Sequence, residues 1–238
     1  MKFETPLIHG RLIRRYKRFL ADIELEDGRE VTAHCANPGA MLGVADPGAR
    51  VWVEPNDDPK RKLKFSWKLI ELSDGHFAGI DTSVPNRVVG EALAAGMIPG
   101  LEGDVRAEVK YGKNSRVDFL LTSGGSKTFV EVKNVHMMRE QGLAEFPDTV
   151  TTRGAKHLGD LAAEDANGHR AVMLYCIQRT DCDRLDFAGD LDPGYLSAFI
   201  GAKAAGVEAI AWTCRISTTE IVLDHPVTIM ETPRPGQR

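Results

Sequence analysis

The chain of 238 residues is 42% hydrophobic and 27% charged, a globular balance that supplies a core and excludes a disordered or low-complexity chain. Its formal net charge of −4 excludes a globally positive surface, so any nucleic acid must be met by local patches. The length suits two domains of roughly 100–150 residues each. Cys35, Cys176, Cys182 and Cys214 show no CxxC spacing, which argues against structural zinc. Scattered cysteines, an N-terminus without an apolar h-region and no apolar run approaching ~18 residues lead to the expectation of a reducing, cytoplasmic setting.

Residues 1–83 read as all-β. RFLADIEL (18–25) and REVTAHC (29–35) flank the turn tripeptide EDG. ARVWVEP (49–55), FSWKLIEL (65–72) and HFAGIDT (76–82) continue the series, with turn residues between them. About five short strands at this spacing fit a small OB-like barrel. Two basic stretches lie on it. RLIRRYKR carries Arg14, Arg15, Lys17 and Arg18 with Tyr16 and then Phe19; KRKLKFSWK carries Lys60, Arg61, Lys62 and Lys64 with Phe65 and Trp67. Cations interleaved with aromatics are what nucleic-acid platforms use, although either stretch alone also fits a solvated face. In HCANPGAML (34–42), His34 and Cys35 are strand neighbours on opposite faces, so a His-activated thiol is disfavoured. A structural turn fits better, with Asn37 in reach of a phosphate.

The pattern changes near Pro85. NRVVGEALAAGM (86–97) has helical periodicity, strands follow at 105–111, 116–121 and 128–135, and a helix is expected over 149–166. A buried strand at 170–177, a helix at 193–205 and a closing strand at 207–216 complete the order αβββαβαβ over residues 84–231. This is an α/β or mixed sheet covered by helices. The remainder, 232–238, reads as a flexible tail.

The hairpin 116–135 carries most of the chemistry. A Gly124-Gly125 turn pairs residues whose numbers add to a constant, which sets Phe119 against Val130 and Asp118 against Glu131. Opposed carboxylates destabilise a sheet unless a cation lies between them. Lys133 shares the face of Glu131. Two acids and a lysine suit Mg²⁺ or Mn²⁺ and phosphodiester hydrolysis; a charged strand face is the alternative reading. Glu108, on the preceding strand, and Glu91, in the preceding helix, are candidate further acids. The side on which Glu108 falls depends on the turn at 113–115. Arg153, Lys156 and His157 share a helical face and could meet a phosphate.

Segments along the whole chain, among them HCANPGAM (34–41), DTSVPNRVVGEAL (81–93), EVKYGKNSRVDFLL (108–121), FVEVKNVHM (129–137) and FPDTVTTRGAKHL (146–158), resemble the sugar fermentation stimulation protein (SfsA) family. The resemblance implies an OB-like N-terminal domain and a PD-(D/E)XK nuclease-like domain. By position, its motif falls on Asp118, Glu131 and Lys133. NVHMM (134–138) departs from a Ser/Thr version of that rim, and the loop after Asp118 is short. The expected protein binds DNA and hydrolyses phosphodiesters at an Mg²⁺ or Mn²⁺ ion held by Asp118, Glu131 and the Val132 carbonyl. The alternative is a non-catalytic, nonspecific DNA-binding regulator linked to sugar (maltose) metabolism.

Overall fold

The computed structural model describes residues 1–112 and 115–230. Its first unit is a closed barrel of β1 (Ile8–Tyr16), β2 (Leu20–Leu25), β3 (Glu30–Cys35), β4 (Arg50–Pro55) and β5 (Phe65–Glu71). Antiparallel pairs link β3, β2, β1, β4 and β5 in that order, and a parallel β3–β5 pair closes the ring. This is the OB-like architecture. Alternation along the strands sends Leu12, Ile23, Val51, Val53 and Trp67 into one core. The basic stretch at 11–18 runs along the second half of the first strand and into the turn that follows it. The expected strand at 76–82 shortens to β6 (Phe77–Gly79), which leads out of the barrel.

The second unit is a nine-stranded mixed sheet. α1 (Val84–Ala94) starts with a proline in its first turn. β7 (Asp104–Tyr111), β8 (Ser115–Ser123), β9 (Ser126–Val135), β10 (Met137–Glu140) and β11 (Gly142–Phe146) follow. α2 (Thr152–Ala166), β12 (Arg170–Ile177), β13 (Cys182–Phe187), α3 (Pro193–Ala204), β14 (Glu208–Ile216) and β15 (Ile221–Ile229) complete it. The spatial order is β10-β11-β13-β15-β14-β12-β9-β8-β7. β10, β11, β13 and β15 go beyond the sequence expectation, and β14 does not close the domain. The tail at 232–238 lies outside the described residues. α1 covers one face of the sheet with Val84, Val88 and Leu93 on Val130, Val132 and Leu174; α2 and α3 cover the other with Leu158, Leu161 and Phe199 on Phe129, Met173 and Tyr175.

The two units are tied by backbone and buried side chains. Gly79 N donates to Gln178 O at 2.9 Å, and the fully buried Gln178 side chain donates to Asp81 O and Asn134 Oδ1. In the barrel, Met41 N donates to Asp148 Oδ2 at 3.1 Å, just ahead of α2. Among the described residues no helix is long and apolar enough to cross a membrane.

Candidate active site

The Gly124-Gly125 turn sets the expected register, with Ser123 against Ser126 and Phe119 against Val130, but the ladder stops there. Asp118 and Glu131 are therefore not a facing pair. The cause lies in a matched break across β7 and β8. Their register is the same on both sides of Glu108 and Asp118, yet neither residue pairs. Val105 packs on the α1 face and Val109 on the α2 face; Phe119 and Val117 divide the same way. Both strands thus reverse their pleat at this point, where Glu108 adopts φ 55°.

The break lets Asp118 reach edgewise toward β9, where its Oδ2 accepts the Val132 amide at 2.7 Å. A strand residue sends its N–H and C=O to the same side, so the Val132 carbonyl also points toward Asp118. From α1, Asn86 Nδ2 donates to Asp118 Oδ1 at 2.6 Å. Glu131 instead faces α2 and is only 2% exposed. His157 bonds its Oε1, and Lys133 Nζ donates to the same oxygen at 2.8 Å. Arg153 Nε donates to His157 Nε2 at 3.3 Å, which leaves the ring hydrogen on Nδ1, toward Glu131. Among the described residues, Glu131 Oε2 is buried without a partner.

The electrostatics follow from this asymmetry. Burial, then the Glu131 charge, raises the Asp118 carboxyl above its ordinary range despite the Val132 and Asn86 bonds. Burial acts the same way on Glu131, but His157 and Lys133 outweigh it and hold that carboxyl low. Tyr111 has a buried hydroxyl with no partner among the described residues, kept protonated by burial and by Glu131, Asp160 and Asp118.

Glu108, Ser115, Arg116, Asp118, Arg153, Lys156 and His157 line a cleft of about 460 Å³. Glu108 is exposed in it. Arg153 is exposed at the rim, and Lys156 Nζ donates to Ser115 Oγ and to Asp160 Oδ2. His157 is 6% exposed with both ring nitrogens engaged, so it positions Glu131 and is not free for a phosphate. Glu91 lies apart from the cleft, 2.7 Å from the Met1 ammonium. Asn86 takes its expected place: five helical residues separate the two, about 140° around the axis, so one helix cannot turn both toward Asp118. Asn86, Ser115 and Tyr111 were not singled out from the sequence. The phase of α1 relative to the sheet was the missing information. Among the described residues no cluster of three or more His, Cys, Asp or Glu side chains is placed for a metal.

On the barrel, Arg14 pairs with Asp22 at 2.8 Å and lies 4.9 Å from the Tyr16 ring. Arg15 donates to Asn37 O and Gly39 O, a structural clamp. Lys17 and Arg18 form the exposed β1–β2 turn. Lys60, Arg61 and Lys62 are exposed in the β4–β5 loop, and Lys64 Nζ donates to Asp58 O. Trp67 is fully buried and cannot stack on a base. Asn37 is 1% exposed and occupied by Ile80 O and Gly39 N, so it holds a turn and not a phosphate. His34 is exposed while Cys35 is buried, as opposite faces require. All four cysteines are free and buried.

A closed OB-like barrel joined to a mixed sheet, with two carboxylates and a lysine at a broken central ladder, is the class that fold and site define. The family described as SfsA N-terminal OB domain matches residues 13–80, and the Sugar fermentation stimulation protein RE domain matches 83–220. The chain belongs to the sugar fermentation stimulation protein (SfsA) family. It is 62% identical over 220 residues to a sugar fermentation stimulation protein homolog of Ruegeria pomeroyi, covering 91% of this chain and 96% of that protein. It is 61% identical over 233 residues to the homolog of Dinoroseobacter shibae, covering 96% of each. The fold also matches a structure of Pyrococcus furiosus SfsA in complex with Ca²⁺. That match has a TM-score of 0.86 and 24% identity, over 97% of this chain and 99% of the other.

Proposed function

We propose that the protein hydrolyses phosphodiesters of nucleic acid, most readily DNA, at a divalent ion held by Asp118, Glu131 and the Val132 carbonyl. The observation that carries this reading is the Glu131 carboxylate: among the described residues its Oε2 is buried and unpartnered, and its charge acts on the half-buried Asp118. Leaving such an atom unsatisfied costs about 1–3 kcal/mol or more, and a cation between the acids would offset that cost. Two carboxylates and a carbonyl suit Mg²⁺ or Mn²⁺, which keep several waters and complete their shell with phosphate oxygens. The Ca²⁺ of the Pyrococcus relative is a hard ion with the same oxygen preference. When bound, the ion would polarise a phosphate and lower the pKa of a bound water.

The chain's own groups have distinct tasks. Asn86 and the Val132 amide fix both Asp118 oxygens; His157 fixes Glu131 Oε1 and leaves Oε2 for the ion. Lys133, held on Glu131, orients the attacking water. Arg153 and Lys156 hold the phosphate from the rim, with Glu108 as an accessory acid across from Asp118. Arg14, Lys17, Arg18, Lys60, Arg61 and Lys62 hold the DNA through its phosphates.

The test is cleavage of single- and double-stranded DNA and RNA with Mn²⁺ or Mg²⁺. Lys133→Ala and Asp118→Asn should each lower the rate at least a hundredfold while the barrel still binds DNA. Unchanged turnover in both variants would remove the catalytic role of this site, and no cleavage by the wild type would leave a non-catalytic DNA-binding protein.

A further inference from the structure

A second cleft, of about 360 Å³, lies between the barrel and the start of α1. The N-terminal segment, β3, the β4–β5 loop and the first turn of α1 form its walls. Lys2, Arg61 and Arg87 border it, all exposed, and among the described residues none of their side chains has a hydrogen bond or ion pair. Two of the cleft's acids are already engaged. Lys68 Nζ lies 3.0 Å from Asp81 and 3.5 Å from Glu54. Glu54 Oε1 also accepts the Glu4 amide at 2.6 Å, and Asp81 Oδ1 accepts the Ser83 amide and hydroxyl. Against three free cations there remains one free carboxylate, that of Glu4.

Two further features bear on the ligand. His34 lines the cleft, and its ring is stacked 6.5 Å from that of Phe19, which is 46% exposed. The cleft is linked to the carboxylate site through α1. Asn86, which holds Asp118, and Arg87, which borders the cleft, are successive residues of α1, about 100° apart around the helix. Free cations beside a stacked, exposed ring are the combination that tracks single-stranded nucleic acid. The volume is that of a small-ligand site, enough for a nucleotide unit and not for a duplex.

We propose that this cleft is a phosphodiester subsite that holds a single nucleic-acid strand on the barrel side of Asp118. Lys2, Arg61 and Arg87 take backbone phosphates, and Phe19 with His34 supports a base. The relation of this strand to Asp118 rests on the phosphodiesterase reading; its binding in the cleft does not.

The experiment is fluorescence anisotropy of a labelled single-stranded DNA 12-mer with the full chain in EDTA, where nothing is cut. The Arg61→Ala/Arg87→Ala pair should weaken binding at least tenfold. It should also flatten the plot of log K against log salt by about 1.4, the value for two phosphate contacts on a single strand. The same charge change at Arg29→Ala/Lys127→Ala, outside both clefts, should alter affinity less than twofold. Equal losses from the two pairs would reduce the effect to diffuse charge and overturn the subsite, as would no loss from the first pair. Competition by a free mononucleotide at the affinity of the 12-mer would overturn it too, in favour of a small-ligand pocket. Loss of binding in the first pair from a wild type that cuts nothing with Mn²⁺ would uphold the subsite and remove the phosphodiesterase. Cutting by a wild type whose Arg61/Arg87 variant still binds fully would do the reverse.

Discussion

Asp118→Asn and Glu131→Gln each delete one carboxylate charge, yet the structure demands very unequal consequences for stability. Glu131 is held low by His157 and Lys133, with side chains of Glu131 and Lys133 only 3% and 13% exposed. Removing its charge strands a buried ammonium. Breaking a buried pair from one side costs about 3–5 kcal/mol, and at roughly 2–4 °C per kcal/mol the lower figure alone predicts a fall in Tm of roughly 6–12 °C. Asp118 is raised, first by burial and then by Glu131. Its amide variant relieves that repulsion but forfeits one of two accepted bonds, about 1 kcal/mol, so the net change stays within about 1 kcal/mol. The pH dependence carries the same sign. A depressed carboxyl such as Glu131 adds stability above its unfolded value, which is lost as pH falls through its folded value. A raised one such as Asp118 adds stability at acid pH, which is lost as pH climbs through its folded value. Calorimetry in EDTA at pH 7.5 and near pH 4 should therefore show Glu131→Gln far below wild type at pH 7.5, while Asp118→Asn gains on wild type as pH rises. Mn²⁺ at about 100 times its Kd should then add about 2.7 kcal/mol to wild type alone. Equal losses from both variants in EDTA would refute the asymmetry between the two carboxylates.

Two further outcomes test the frame around the site. A Cβ on Gly39 would lie 2.5 Å from Asp148 Oδ2, which also accepts the Met41 amide and lies 3.3 Å from His136 Nε2, within ion-pair range but poorly aligned for a hydrogen bond. Gly39→Ala should thus loosen the seam between barrel and sheet, read as proteolytic nicking near residues 36–42 at a rate several-fold above wild type with the barrel core intact. Trp67→Ala should destabilise the barrel by about 3–5 kcal/mol in urea, whereas Phe19→Ala, at an exposed ring, should stay within about 0.5 kcal/mol.

Much of the architecture was legible because local signals agreed with tertiary need. The four barrel strands other than the basic first one are marked by turn residues, and α3 by Pro193 and Gly206. The strand 170–177 is apolar at successive positions because helices cover both of its faces. β10 and β13 escaped for a physical reason. MMRE and CDRLDF lack both period-two alternation and β-branched runs, and they are strands because neighbouring strands offer backbone partners. That Glu131 and Lys133 share a face was legible from spacing. The helical partners of the two carboxylates, Asn86 on Asp118 and His157 on Glu131, come from opposite faces of the sheet, and no local pattern encodes how those helices are rotated.

The most consequential miss is the break at Glu108 and Asp118, and it explains why the site exists at all. Gly-Gly register arithmetic continued past Phe119 would pair Val117 with Val132 and commit the Val132 N–H and C=O to the ladder. It would also place two carboxylates side by side at a cost that β8 and β9 could not recover. The paired pleat reversal removes both problems. β9 leaves the ladder after Val130, its Val132 amide turns to Asp118, and the Val132 carbonyl is left facing the same gap. Glu108 bears the strain, since a left-handed φ costs a non-glycine residue about 1 kcal/mol or more. Such a conformation persists only where surrounding contacts overdetermine it, and here they do: the register on either side of Glu108 is unbroken and both flanking valines are packed, on opposite faces. The sheet thus holds a gap in a central ladder, lined by an amide, a carbonyl and two carboxylates, that regular pairing would have closed.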